Sequence, residues 1–165
     1  MTNNTQKIIT YLWFDGQAEE AVNLYKSVFK EVNIGHVYRY DEATAKVSGR
    51  PEGSAMTIEF ELFEHKFVAL NGGPQYQFTP AISFLVNCET QEEIDHYWTQ
   101  LSADPQAEQC GWLVDKFGLS WQIVPTILFE LLGDVDRQKE ESVTEAMLKM
   151  KKIEIAGLKA AYENG

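Results

Sequence analysis

Apolar and polar positions along this chain follow two periods, and the switches between them occur in the same order twice. The first apolar run, Ile8-Ile9-Thr10-Tyr11-Leu12-Trp13-Phe14, is β-branched and aromatic, which predicts a strand ended by Asp15-Gly16. A helix is predicted over residues 17–29, because Ala18, Ala21, Val22, Tyr25 and Phe29 share one stripe at the helical period. Residues 34–40 alternate loosely and predict a second strand. The polar stretch 41–55 holds Gly49, Pro51 and Gly53 and predicts a long loop. A flap over a binding face, a disordered stretch and a dimer contact all fit its length and polarity. Residues 56–63 alternate as a third strand, Glu64-His65 predicts a tight turn, and residues 66–70 predict the returning strand. Asn71-Gly72-Gly73-Pro74 closes it, with Asn71 suited to forming that turn.

The order then begins again. Residues 81–86 predict a strand, and Thr90-Gln91-Glu92-Glu93 is a capping box that opens a helix with the stripe Ile94, Tyr97, Trp98 and Leu101. A loop over 102–109 precedes two short strands, 111–114 and 119–124, joined by Asp115-Lys116-Phe117-Gly118. Asp115 is expected to be solvated in that turn. Beyond Pro125, Val143, Ala146, Met147 and Met150 form one helical stripe, and Ile155, Leu158 and Tyr162 suggest another. Lys149, Lys151 and Lys152 are expected to be a solvated face or to complement a helix C-terminus. The repeated order predicts one α+β domain over residues 1–165. Its modules span about 7–73 and about 80–125, and a helical extension spans about 126–165.

Charge and length narrow the partners. A net charge of −11 repels phosphate backbones, so neither nucleic acid nor an anionic membrane is expected. No apolar run approaches a membrane span, and the polar residues 1–7 give no expectation of a secretory leader. The two cysteines, Cys88 and Cys110, are expected to stay reduced in a cytoplasmic protein. Cys110 is expected to be a buried, inert thiol, since its nearest cation in sequence is Lys116 and no histidine neighbours it.

Five segments carry a family resemblance. They are Leu12-Trp-Phe-Asp-Gly-Gln-Ala-Glu-Glu-Ala, Ala69-Leu-Asn-Gly-Gly-Pro, Phe78-Thr-Pro-Ala-Ile-Ser-Phe, Cys110-Gly-Trp-Leu-Val-Asp-Lys-Phe-Gly-Leu-Ser-Trp-Gln-Ile-Val-Pro and Met147-Leu-Lys-Met-Lys-Lys. With them the chain resembles the PhnB-like, demethylubiquinone 3-methyltransferase-like branch of the vicinal-oxygen-chelate (glyoxalase and bleomycin-resistance-like) superfamily. The resemblance implies two βαβββ modules forming a cup-shaped mixed sheet, and a homodimer. In metal-dependent relatives, it implies His and Glu ligands on the first and last strands of each module.

Those positions fall here near Thr10, near Ala69, near Ala81 or Ser83, and at Gln122, so no metal is expected. His36, His65 and His96 are predicted on a strand, a turn and a helix, and do not compose a two-histidine, one-carboxylate set. The turn Phe14-Asp15-Gly16-Gln17 holds one glycine and lacks the glycine-rich signature of a Rossmann-like cofactor site, so no cofactor is expected either.

Strand alternation places candidate binding residues. If Gln122 faces the cup, Ser120 and Val124 share its side, and Trp121 and Ile123 face helices. The inward phase of the first module is set as Thr10, Leu12 and Phe14 with Phe67, Ala69 and Asn71. Ligand-binding residues are therefore expected at Thr10, Leu12, Phe14, Phe67, Asn71, Ser120 and Gln122, around a small, neutral, partly apolar molecule. Filling of the cup by Leu12, Phe14 and Phe67 as core fits the same pattern. A metal-dependent lyase or isomerase, a methyltransferase, and a dimeric interaction module without a small ligand remain as alternative functions.

Overall fold

The computed structural model describes residues 6–165. Residues 1–5, part of the polar stretch that gave no expectation of a leader, lie outside them. The chain divides into two compact units after Gln77.

The first unit contains β1 (Thr10–Phe14), α1 (Ala18–Val28), β2 (Val32–Arg39), α2 (Glu42–Ser48), β3 (Ala55–Leu62) and β4 (His65–Asn71). Its sheet runs β1-β4-β3-β2, with β1 parallel to β4 and the other neighbours antiparallel. In α1, Glu19 and Glu20 sit in the first turn and Lys26 in the last, which complements the helix dipole. Its stripe Ala18, Ala21, Val22, Tyr25 and Val28 is buried. Tyr25 stacks on Phe60 with centroids 6.0 Å apart, and Phe60 on Phe67 at 5.1 Å. These contacts fix which face of the sheet meets the helix.

Two local features differ from the sequence pattern. The stretch 41–55, expected to be a loop, contains α2. Asp41 and Thr44 form a capping box, and Gly49 ends the helix in the left-handed region at φ 73°. None of its residues is buried, so it leaves no apolar stripe to read. Its return path is pinned by the Arg50–Asp15 ion pair at 2.5 Å.

The β3–β4 turn is Phe63-Glu64, one residue earlier than expected. Both are left-handed, at φ 47° and 65°, as a two-residue hairpin requires. Phe63 breaks the apolar alternation of Met56, Ile58, Phe60 and Leu62, and its ring meets Phe29 edge-on at 6.1 Å. Glycine meets the left-handed geometry without a Cβ penalty. Glu64→Gly is therefore expected to raise stability by about 0.5–1 kcal/mol, read from the urea midpoint.

The second unit contains β5 (Ser83–Cys88), α3 (Gln91–Leu101), β6 (Trp112–Val114), β7 (Ser120–Pro125), α4 (Thr126–Leu132), α5 (Arg137–Leu148) and α6 (Ile155–Asn164). Its sheet runs β5-β7-β6. The α+β class and the strand–helix–strand repeat hold. The second module has three strands rather than the four implied by a full βαβββ unit. Between α3 and β6 the polar Ser102–Gln109 stretch offers no alternation, and its one ladder contact is the Gln109–Trp112 bridge. Thr90 caps α3 through the Glu93 amide, while the Glu93 carboxylate accepts from the Glu89 amide rather than from Thr90.

Helices α4 to α6 pack around Val124, Leu128, Val143, Ile153 and Leu158. The chain before α6 acts as a strap. The Cys110 and Gly111 amides donate to the Met150 and Lys151 carbonyls at 2.9 and 2.7 Å. Gln91 donates to the Ile153 carbonyl and accepts from the Ile155 amide. Lys152, expected on a solvated face, is instead half-buried between Asp95 and Glu154. The shared hydrogen bond holds the Lys152 ammonium above its ordinary pKa and the Asp95 carboxyl below its own.

Candidate functional site

In the first unit, Leu12, Phe14 and Phe67 are buried, and they share the face that carries α1. The phase expected for β1 and β4 is thus reversed. Both sets of alternating positions on β1 are apolar, so alternation alone did not say which set meets the helix. Asn71, also buried, is a clamp between elements. Its Oδ1 accepts from the Ala18 amide at 2.9 Å, and its Nδ2 donates to the Ala55 carbonyl at 2.9 Å. Its own carbonyl accepts from the Tyr40 hydroxyl at 2.6 Å. Thr10 Oγ1 lies 3.2 Å from His65 Nε2 at the other end of β1.

The opposite face of that sheet carries Tyr11, Trp13, Val68 and Leu70. Trp13 donates to the Gly73 carbonyl at 2.8 Å and meets Tyr76 edge-on at 4.9 Å. Its ring lies so close over Gly72 that a Cβ there would fall 2.2 Å from it. Beside Val68 a cleft of about 360 Å³ is lined by Ile9, Asn33, Gly35, Glu59 and Lys66 among others. It opens at a bulge where β2 carries one extra residue between Ile34 and Val37. Sequence reasoning missed this cleft. A glycine inside a strand pattern, Gly35, was the available signal.

In the second unit the phase agrees with expectation. Trp121, Ile123 and Leu113 are buried, on the side of the sheet against which α3 packs. Ser120, Gln122 and Val124 take the other side. Two rows result from the register. Ser120 lies between Ser83 and Val114, and Gln122 between Leu85 and Trp112. Gln122 Nε2 donates to Ser83 Oγ at 2.8 Å. The Ser120 hydroxyl is buried and has no hydrogen-bond partner among the described residues. Val124 is covered by the helical extension.

Asp115, expected in solvent, is 2% exposed. Its Oδ1 accepts from the Phe117 and Leu119 amides at 2.9 and 3.1 Å, and its Oδ2 from Trp121 Nε1 at 2.9 Å. The carboxylate thereby fixes both the β6–β7 turn and the indole beneath the Ser120–Gln122 face.

The thiol environment expected for Cys110 belongs to Cys88. Cys110 is only half-buried, whereas Cys88 is buried, and burial with the Glu93 and Glu89 carboxylates pushes its thiol up to about 12. One thiol is expected to react with Ellman's reagent in the native protein and two after denaturation. The unfolded thiol ionises near pH 9, so the contribution of Cys88 to stability is intact below that value. It falls as the pH rises toward 12, and Cys88→Ala should remove this part of the alkaline loss.

Neutral side chains occupy the positions near which the resemblance implied metal ligands. Thr10 offers a hydroxyl that pairs with His65, Ser83 and Gln122 offer a hydroxyl and an amide that pair with each other, and Ala69 offers nothing. Neither unit's pair of positions has an anionic ligand, and neither fits a divalent ion. Among the described residues, no three His, Cys, Asp or Glu side chains could hold a metal together. No helix among them is long and apolar enough to cross a membrane.

A mixed sheet with a helix on one face and a strand–helix–strand repeat give the chain its α+β architecture. It belongs to the family described as 3-demethylubiquinone-9 3-methyltransferase, whose model matches residues 6–124. A solved structure described as a putative 3-demethylubiquinone-9 3-methyltransferase, PhnB protein, from Bacillus cereus is 37% identical, with a TM-score of 0.61. The match covers 73% of this chain and 100% of that one. Protein PA1353 from Pseudomonas aeruginosa shares the fold at 17% identity and a TM-score of 0.55, over 73% of this chain and 98% of that one. No curated protein matches the chain. Helices α4 to α6 lie beyond the part matched by the family model.

Proposed function

We propose that this protein binds a small, neutral, partly apolar molecule, without a metal ion, on the face of the second sheet that carries Ser83, Ser120 and Gln122. One observation carries the reading. The Ser120 hydroxyl is buried without a partner among the described residues, beside an amide and a second hydroxyl that already engage each other. A buried polar group left unpaired is costly, and a bound molecule would supply the missing hydrogen bond. Leu85 and Trp112 flank Gln122 and give the face apolar walls, while no ionisable side chain stands in either row. Such a surface favours a neutral ligand.

The test is mass spectrometry on protein purified without chelator. Native spectra are expected to show an organic adduct whose occupancy drops several-fold in Gln122→Leu, and elemental analysis is expected to find metal well below one ion per chain. A stoichiometric divalent ion, lost in Gln122→Leu, would overturn the reading.

The chain is further proposed to act as a cytoplasmic homodimer. β1 and β5 are edge strands in their own sheets, and each exposes an apolar side chain, Tyr11 and Leu85. An open edge of this kind accepts another strand. Light scattering at the mass of one chain would reject this part.

A second reading comes from the family itself. Its description and that of the Bacillus cereus structure name a methyltransferase. Saturable binding of S-adenosylmethionine would favour that activity. The β1–α1 turn, where a Rossmann-like enzyme would cradle such a cofactor, is occupied by the Arg50 side chain, 3.2 Å from where a Gly16 Cβ would stand.

A further inference from the structure

Resting on the ligand face proposed above, we infer that Ser83 and Ser120 form a two-donor cradle for a carbonyl oxygen and that the ligand is a small neutral carboxamide. The argument is a count of donors and acceptors. Ser83 and Ser120 are directly paired in the β5–β7 register, so their side chains stand next to each other on one face. Gln122 Nε2 donates to Ser83 Oγ. An amide nitrogen cannot accept a hydrogen bond in return, so the Ser83 proton is directed elsewhere. Gln122 thereby makes Ser83 a donor toward the face. Ser120 brings a second hydroxyl proton, and nothing among the described residues accepts it.

Two hydroxyl donors on residues paired in the register match the two lone pairs of one carbonyl oxygen. The remaining polar atom of the group is Gln122 Oε1, which can only accept. A ligand that presents an N–H beside its carbonyl oxygen satisfies all three at once, and a carboxamide or lactam is the simplest neutral group of that kind. A carboxylate is disfavoured. It would bring a full charge to a face without a cation in either row and would leave Gln122 Oε1 facing another acceptor. Leu85, Trp112 and Val114, in the same two rows, offer apolar surface against which an apolar or aromatic body next to the amide can pack. Ser83 was not among the residues that sequence reasoning proposed for binding, although it was considered as a metal position. Its role here is to fix specificity, through the hydrogen bond that orients it.

The test uses benzamide and benzyl alcohol, two flat molecules of similar size, titrated into the full-length ¹⁵N-labelled protein and followed by NMR. Benzamide is expected to shift the amide signals of Ser83, Ser120 and Gln122 and to bind at least tenfold more tightly than benzyl alcohol. Ser83→Ala and Ser120→Ala should each weaken benzamide by about tenfold and leave the weak binding of benzyl alcohol unchanged. Both variants are expected to melt near the wild-type temperature, since Ser120→Ala removes a hydroxyl with no partner among the described residues and Ser83→Ala removes a single hydrogen bond, that from the Gln122 amide. If both probes shift Leu85 and Trp112 but benzyl alcohol binds as tightly as benzamide, or the serine variants leave benzamide unaffected, the carboxamide inference is wrong and the binding face stands. If neither probe shifts any residue of this face, both fail.

Discussion

Asp115→Ala is expected to destabilise the fold by about 3–4 kcal/mol, read as a fall in the urea midpoint at unchanged slope. The carboxylate is buried and accepts three hydrogen bonds from two different structural features. Alanine removes the carboxylate that accepts from the Leu119 amide and the Trp121 indole nitrogen in the interior. It also forfeits charge-assisted bonds that are individually stronger than neutral ones. Asp115→Asn should be intermediate. Its carbonyl oxygen can replace Oδ1 toward the Phe117 and Leu119 amides, but its NH₂ group then faces the Trp121 N–H, donor against donor. A loss below 1 kcal/mol in both variants would mean that the turn is held by packing alone. Because Trp121 lies between Ser120 and Gln122 in sequence, Asp115→Ala should also weaken any ligand held on that face.

Asn71→Ala is the second large effect, about 2–3 kcal/mol, and it should be felt in the other unit. The side chain joins the first amide of α1 to the first carbonyl of β3. Alanine leaves both groups unpaired beside a packed core. Asn71→Asp is a sharper probe. One carboxylate oxygen can still accept from the Ala18 amide, at the positive end of the helix, yet the other is pressed against the Ala55 carbonyl. Hydrogen exchange should then speed up at the start of α1 and at Ala55, with little change in residues 78–165. Uniform acceleration across the chain would show that the two units unfold together and that Asn71 has no local role.

The elements that bury a clear stripe were legible in the sequence. For α1 and α3, Ala18, Tyr25, Ile94 and Leu101 gave the helical period because each helix has one face on a sheet. The alternation of residues 56–63 similarly announced β3. What escaped the sequence lacked that one-sided burial. Helix α2 buries nothing, so only its caps, Asp41 with Thr44 and Gly49, betray it. The missing fourth strand of the second module also follows from composition, since Ser102 to Gln109 offers no apolar face.

The candidate site was half legible, for a physical reason. On β7, alternation separates Trp121 and Ile123 from Ser120 and Gln122, two kinds of side chain that cannot share one environment. On β1, Leu12 and Phe14 alternate with Tyr11 and Trp13, and either pair could have met the helix. Asn71 and Asp115 share another ambiguity. In sequence, each is a polar residue next to a turn, and only three-dimensional placement reveals a buried acceptor. The decisive partners, Ala18 and Ala55 for one and Trp121 for the other, are backbone groups or a ring nitrogen that no residue pattern displays.

The most direct test of the central claim is an NMR screen of a library of neutral fragments against the ¹⁵N-labelled protein. Binding on the second sheet predicts that hits move the signals of Ser83, Leu85, Trp112, Ser120 and Gln122 together, and that Gln122→Leu abolishes the response. Hits that cluster on other residues and leave these five unmoved, or a library with no hits on this face, would contradict it.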